Sequence, residues 1–444
     1  MDGTVLGSRR FAGAGPFPAR DRSLSQVLAF SLGFLLPILT LKTGYYGTPT
    51  DLASRVALVD FICVLAMAAL CLRGSPATVP IPGGVYFFAL VVSLFPSLVV
   101  FPGRETYAWT AFAALFMAFL FYVMGLSIGE SPGVTSALLK GLCAVTVFEA
   151  VIVFHDYFFS SQWFPDPMAG RARGTFKANG QLGAFGFCAA GMLLAMGRAV
   201  PSRRLRLWTL FCGLLAASFV FTASRRTGMI CVFVWAAAFA VMGVRFGRRR
   251  WYRGFVALLL ATVAVLGISW SVLSESFAGK RLTEGVTSLR RSDGFIQNQH
   301  RAILRSADQW FPFGFGPGRG NLIDPTDPER HEVHNGLLAV LVELGVLGLL
   351  GFVAMILRPL FRRRPVPRGD GAFALRATII ASFLLVSVVF MFHNTLYRDR
   401  TFMLFLGMAT AIARKPFGLG QGRSGGAPSR ESFDVAQDKP EALP

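Results

Sequence analysis

The chain has 444 residues, 53% of them hydrophobic and only 15% charged, with a formal net charge of +20. A soluble domain carries about 25% charged residues, whereas here apolar runs of about 20 residues, the length that crosses ~30 Å of hydrocarbon, recur along nearly the whole chain. An ordinary soluble domain is excluded on that ground. An outer-membrane barrel is excluded by the absence of alternating polarity. The expected fold is an all-α polytopic membrane protein.

A polar leader over 1–24 carries Arg9, Arg10, Arg20 and Arg22. No small-residue cleavage site follows closely, so the first span is read as a retained helix rather than a signal peptide. Twelve spans follow, at 25–41, 53–72, 83–101, 106–128, 136–158, 178–197, 205–222, 227–244, 254–273, 335–357, 373–393 and 396–413. They divide the chain into helices one to nine (25–273), a large loop (274–334), helices ten to twelve (335–413) and a polar tail (414–444). The tail, rich in Gly, Ser and Pro, is expected to be disordered. All six cysteines (Cys63, Cys71, Cys143, Cys188, Cys212, Cys231) fall in apolar segments, where thiols act as small fillers rather than a disulfide framework.

Basic residues in short loops mark the cytoplasmic side. Clusters at Arg198–Arg206, Arg245–Arg253, Arg358–Arg368 and Arg414–Lys415 all fall with the leader on one side of a twelve-span path. Both termini are then cytoplasmic, and the 274–334 loop lies outside. The charge is split among juxtamembrane clusters instead of gathering on one domain, so no nucleic-acid partner is expected.

Two outer features oppose this charge rule. Arg225 and Arg226 occupy a very short outer turn, TASRRTG. They either snorkel to lipid headgroups or form a clamp, since a planar guanidinium matches phosphate oxygens. The segment GRARGTFKANGQLG (170–183) carries Arg171, Arg173 and Lys177 among glycines and leads through Asn179 into span six. It is either a polar re-entry loop or an anion site near a helix N-terminus, and it lacks the P-loop pattern.

A third feature opens span ten. In RHEVHNGLLAVLVELGVLG (330–348), His331 and His334 are two of only five histidines in the chain. Asn335 suits a helix cap. HEVH departs from the zinc pattern HExxH and has no third ligand at suitable spacing, so no metal or other cofactor is expected. No GxSxG elbow is present. A neutral histidine facing arginines suits general-base catalysis with an anionic leaving group.

These residues carry a family resemblance. His334-Asn335, nine residues, then Gly345-Val346-Leu347-Gly348 fit the pattern of O-antigen ligases. Gly174-Thr175-Phe176-Lys177-Ala178-Asn179 and the Ser224-Arg225 pair are similar to two further segments of the O-antigen ligase and polymerase superfamily. In the first of these, Lys-Ala-Asn stands where many relatives have Asn-Pro-Asn. Twelve spans with a large periplasmic loop between helices nine and ten also match the family.

The resemblance implies a metal-independent inner-membrane glycosyltransferase with its site at the periplasmic face. Its donor would be an undecaprenyl-diphosphate-linked glycan and its acceptor lipid A–core, or another lipid-linked glycan for a polymerase. By position, His334 would be the catalytic base. Arg225 and Arg173 would hold the diphosphate, with Arg226 and Lys177 as further candidates and Asn335, Asn179 and His331 in support.

The segment HRAILRSADQW (300–310) is helical in pattern and precedes a glycine-rich turn, FPFGFGPGRGN. It is read as an amphipathic lid that either presents Arg301 to the substrate or simply lies on the membrane. A flippase for the same glycan is the rival. Such a protein needs charge deep in the bundle, and mid-helix charges are few: Asp60, Lys140, Glu149 and Glu343.

Overall fold

The computed structural model describes residues 19–37, 58–72, 78–100, 105–159, 163, 174–176, 179–196, 203–222, 301–319, 333, 335–360 and 398–414. Within these residues the protein is helical and contains no strand. The helices are α1 (Ala19–Leu35), α2 (Leu58–Leu72), α3 (Ile81–Phe95), α4 (Glu105–Gly129), α5 (Pro132–Phe158), α6 (Asn179–Met196), α7 (Arg203–Thr222), the single turn α8 (Ala307–Trp310), α9 (Gly336–Leu357) and α10 (Arg400–Arg414). Among the described residues, four stretches are long and apolar enough to cross a membrane: Ile81–Val100, Ala108–Gly129, Gly133–Phe158 and Gly336–Leu357. The expected spans at 227–244, 254–273 and 373–393 and the 414–444 tail lie outside the described residues, apart from Arg414.

Glycines bring the helices together. A Cβ at Gly125 would overlap the Leu404 carbonyl, and one at Gly407 the Tyr122 carbonyl, so α4 and α10 touch backbone to backbone. Gly33 and Gly141 do the same between α1 and α5, and Gly186 and Gly213 seat α6 against α7. Between helices in lipid, where hydrophobic exclusion is weak, such small-residue contacts supply the packing. The contacts also fix direction. Gly125 meets Leu404 and Met408, and Gly129 meets Met408 and Ala411, so α4 and α10 run the same way. Tyr86 packs on Gly351 and Phe352, and Gly316 lies on Ser93 and Ser97, so α3 and α9 run oppositely.

Two irregularities shape one end of the bundle. Pro96 cannot donate to the helix ladder, and there α3 widens into a π turn, Pro96–Val100. The second is in span ten, expected as one run. α9 is broken at Gly345, whose φ of 70° and ψ of −170° are far from helical. The backbone groups that the break frees are taken by the turn at 312–316. Phe315 N–H donates to Val342 O (2.7 Å), Gly316 N–H to Glu343 O (3.0 Å), and Val346 N–H to Pro312 O (2.9 Å). Irregular backbone at membrane depth survives only where protein satisfies it in this way.

Candidate functional site

The glycine-rich turn is held from both sides. On the α9 side, a Cβ at Gly314 would lie 2.7 Å from Gly345 N and 2.8 Å from Glu343 C. On the α3 side, Ser97 Oγ donates to Pro317 O (3.3 Å). Arg319, 2% exposed, donates from Nε to Ser97 Oγ (3.2 Å) and from Nη2 to the Ser97 carbonyl (2.7 Å). Arg319 is therefore a buried lock between the glycine-rich turn and the π turn. The helical residues 301–305 and α8 precede this turn. Ile303 and Trp310 are buried and Trp310 Nε1 donates to Ile303 O (3.1 Å), while Arg301 is exposed. That is the amphipathic element the sequence suggests.

At the mouth of α9, Asn335 is the helix cap. Its side-chain oxygen accepts from Leu337 N (3.0 Å) and Leu338 N (3.2 Å). Four N–H groups at a helix start lack an intrahelical acceptor, and Asn335 meets two of them. His334 and His331 lie outside the described residues.

The connection between α5 and α6 is held to one face of α5 at two points. Trp163 N–H donates to Asp156 Oδ1 (2.7 Å), and the Trp163 ring stacks on His155 with centroids 3.9 Å apart. Thr175 N–H donates to Glu149 Oε2 (3.1 Å) and its hydroxyl to Glu149 Oε1. Glu149 and Asp156 are seven residues, about two turns, apart on α5 and so share a face. The Gly-Thr-Phe segment is thereby seated, with Phe176 buried against Phe185. Arg173 and Lys177, which flank it, lie outside the described residues, as do Arg225 and Arg226. Asn179 is the first residue of α6.

The structure adds residues that the sequence reading did not single out. Arg398, Asp399 and Arg400 precede or open α10. Arg400 makes a two-point ion pair with Asp60 of α2, at 2.6 Å from Nε to Oδ1 and 2.7 Å from Nη2 to Oδ2. Asp399 Oδ1 accepts from Phe402 N (2.7 Å) and caps the helix. Arg398 Nη2 pairs with Glu343, two residues before the α9 break. The Glu343 Oε2 atom and the Tyr86 hydroxyl are buried with no hydrogen-bond partner among the described residues. A signal was available: Tyr-Arg-Asp-Arg (397–400) places two arginines at the start of the last expected span, on the side that the charge rule would leave poor in basic residues, as with Arg225 and Arg226.

Asp60, Asn335, Glu343, Arg398 and Arg400 thus share one end of the bundle with the glycine-rich turn. The charges of Arg398 and Arg400 are already met by carboxylates, so their role here is to join helices. Exposed Arg301 has no such commitment to an acid among the described residues. No group of three His, Cys, Asp or Glu side chains suited to a metal occurs among the described residues. Comparison with models of known protein families finds no match, and neither does comparison with curated proteins.

Proposed function

We propose that this chain is a bacterial inner-membrane glycosyltransferase of the O-antigen ligase type, acting at the periplasmic face. It moves a glycan from undecaprenyl diphosphate to an acceptor hydroxyl on lipid A–core. The observation that carries the reading is how one motif is used: His334 directly precedes the Asn335 cap, and Gly345 of the same motif is the break that receives the outer-loop turn.

In this mechanism His334 takes the proton of the acceptor hydroxyl. The hydroxyl oxygen attacks the anomeric carbon as the bond from that carbon to the diphosphate breaks, with inversion. Arg225 and Arg173, with Arg226, Lys177 and Arg301 as further cations, stabilise the charge growing on the departing lipid diphosphate. The same chemistry with a second lipid-linked repeat unit as acceptor is polymerisation.

The test is a deletion strain complemented with wild type or His334→Ala, with surface polysaccharide and lipid-linked intermediates resolved by size. Full-length polymer stranded on the lipid carrier, with none on core, is the ligase outcome. Single repeat units on core or carrier are the polymerase outcome. Unchanged profiles in both strains would sink the transferase reading.

A further inference from the structure

The end of the bundle opposite Asn335 and Arg400 carries a second feature with chemistry of its own. Lys140 of α5 and Arg204, Leu205 and Trp208 of α7 line an open cleft of ≈ 550 Å³. That volume falls within the range of roughly 300–1,000 Å³ typical of small-ligand sites. α5 and α7 lie side by side there, with Cys212 Sγ 3.7 Å from the Cys143 carbonyl just beyond the cleft. Arg204 and Trp208 are one turn apart on α7, so guanidinium and indole face the same groove. Lys140 faces them from the eighth residue after Pro132, about 12 Å along α5 at 1.5 Å per residue. It is therefore set well into its helix and not at a frayed end.

The lining is mostly carbon, from the side-chain stems and the indole, with a cationic residue on each side: Lys140 on α5, and Arg204 beside Trp208 on α7. No carboxylate lines the cleft among the described residues. Neither Lys140 nor Arg204 makes an ion pair or hydrogen bond with a described residue. Trp208 is 47% exposed and stacks on Phe211, with centroids 5.5 Å apart, at the head of an exposed apolar stripe that includes Leu207 and Leu214. Two unmatched cations beside an interfacial tryptophan, above an apolar stripe, reproduce the order of a phospholipid: charged phosphate, glycerol, then acyl chain.

We propose that this cleft binds the phosphate of an anionic phospholipid in the leaflet at that end of the bundle, with Lys140 and Arg204 on the phosphate and Trp208 along the glycerol region. Basic pockets between membrane helices recognise anionic headgroups in this manner, and the cytoplasmic leaflet, where the basic loops are expected, is the anionic one. This inference needs the chain to span a membrane but not to be a transferase, and its readout is lipid retention alone.

The test is native mass spectrometry of the full-length protein in detergent, titrated with phosphatidylglycerol, phosphatidylcholine or inorganic phosphate. Wild type is expected to retain phosphatidylglycerol in preference to phosphatidylcholine. Lys140→Gln and Arg204→Gln should each weaken that retention roughly fivefold, and Lys140→Arg should restore it. Both positions are exposed, so folding is not at stake. Equal retention of the two lipids, a double variant that binds like wild type, or full displacement by millimolar inorganic phosphate would each overturn the assignment.

Discussion

Asp60 and Arg400, 340 residues apart, meet through two parallel N–H···O bonds of 2.6 and 2.7 Å. The pair ties α2 to the start of α10, and Asp60 is 3% exposed. Removing one partner leaves a buried charge uncompensated, which costs about 3–5 kcal/mol, whereas removing both costs far less. Asp60→Asn is therefore expected to lower the melting temperature of the purified protein strongly. The double variant Asp60→Asn/Arg400→Gln should recover most of the loss. Equal melting of the single and double variants would mean that the pair contributes no more than surface ion pairs do.

The contact between Gly345 and Gly314 predicts a sharp difference among glycines. Gly345 has φ of 70°, and an added Cβ would lie 2.6 Å from Phe313 C and 2.8 Å from Phe313 Cα. A non-glycine residue in left-handed backbone costs about 1–2 kcal/mol, and the overlap with backbone adds to it. Gly345→Ala and Gly314→Ala are each expected to destabilise by at least ~2 kcal/mol and to loosen the 312–319 turn. Gly84 of α3 is the control, because nothing lies within 4 Å of its added Cβ. Gly84→Ala should be neutral or stabilising by up to about 1 kcal/mol. Limited proteolysis around the 312–319 turn reads the same difference locally.

Asn335 separates capping from catalysis. Loss of its acceptor in Asn335→Ala should cost about 1 kcal/mol, while Asn335→Asp keeps the cap. Under the proposed mechanism His334 sits one residue ahead, so its position depends on that cap. Asn335→Ala is then expected to lose activity several-fold and Asn335→Asp to stay near wild type. His334→Ala should lose roughly 10²–10⁴-fold with little change in melting. A His334→Ala protein that melts normally and still transfers glycan at the wild-type rate would remove the base assignment.

Much of this end of the molecule was legible in the sequence, and what was not has a physical reason. The apolar runs gave the helices because a 3.6-residue ladder is the only way for an isolated segment to satisfy its backbone in lipid. Asn335 was readable as a cap because it stands directly before an apolar run, with little else for its amide to do. The break at Gly345 was not readable. Gly-x-x-Gly inside an apolar helix ordinarily signals close helix packing, and only the distant turn at 312–316 reveals that this glycine bends the chain. The pairs Asp60–Arg400 and Glu343–Arg398 were hidden for the same reason. Asp60 and Glu343 looked like isolated charges within spans, and a partner hundreds of residues away leaves no local pattern. Glu149 also looked isolated, yet it is the acceptor that seats Thr175.

That seat gives the last prediction. The loop from Trp163 to Thr175 is fastened to α5 at one end by Asp156 and at the other by Glu149, and Arg173 lies within it. Thr175→Val keeps the shape of the side chain but removes the hydroxyl donor to a fully buried carboxylate. Leaving such a group short of a partner costs about 1–3 kcal/mol, so the loop should detach locally before the bundle melts. If Arg173 holds the donor diphosphate, the detached loop weakens donor binding and not proton transfer. In a transfer assay with purified lipid-linked donor, the donor KM should then rise several-fold, with the acceptor KM and the kcat at saturating donor close to wild type. Asp156→Asn, which loosens the opposite end, should act in the same direction. An unchanged donor KM in a Thr175→Val protein whose loop is cleaved faster by protease would show that the loop moves without consequence for the diphosphate. Arg225 and Arg226 would then be left to hold it.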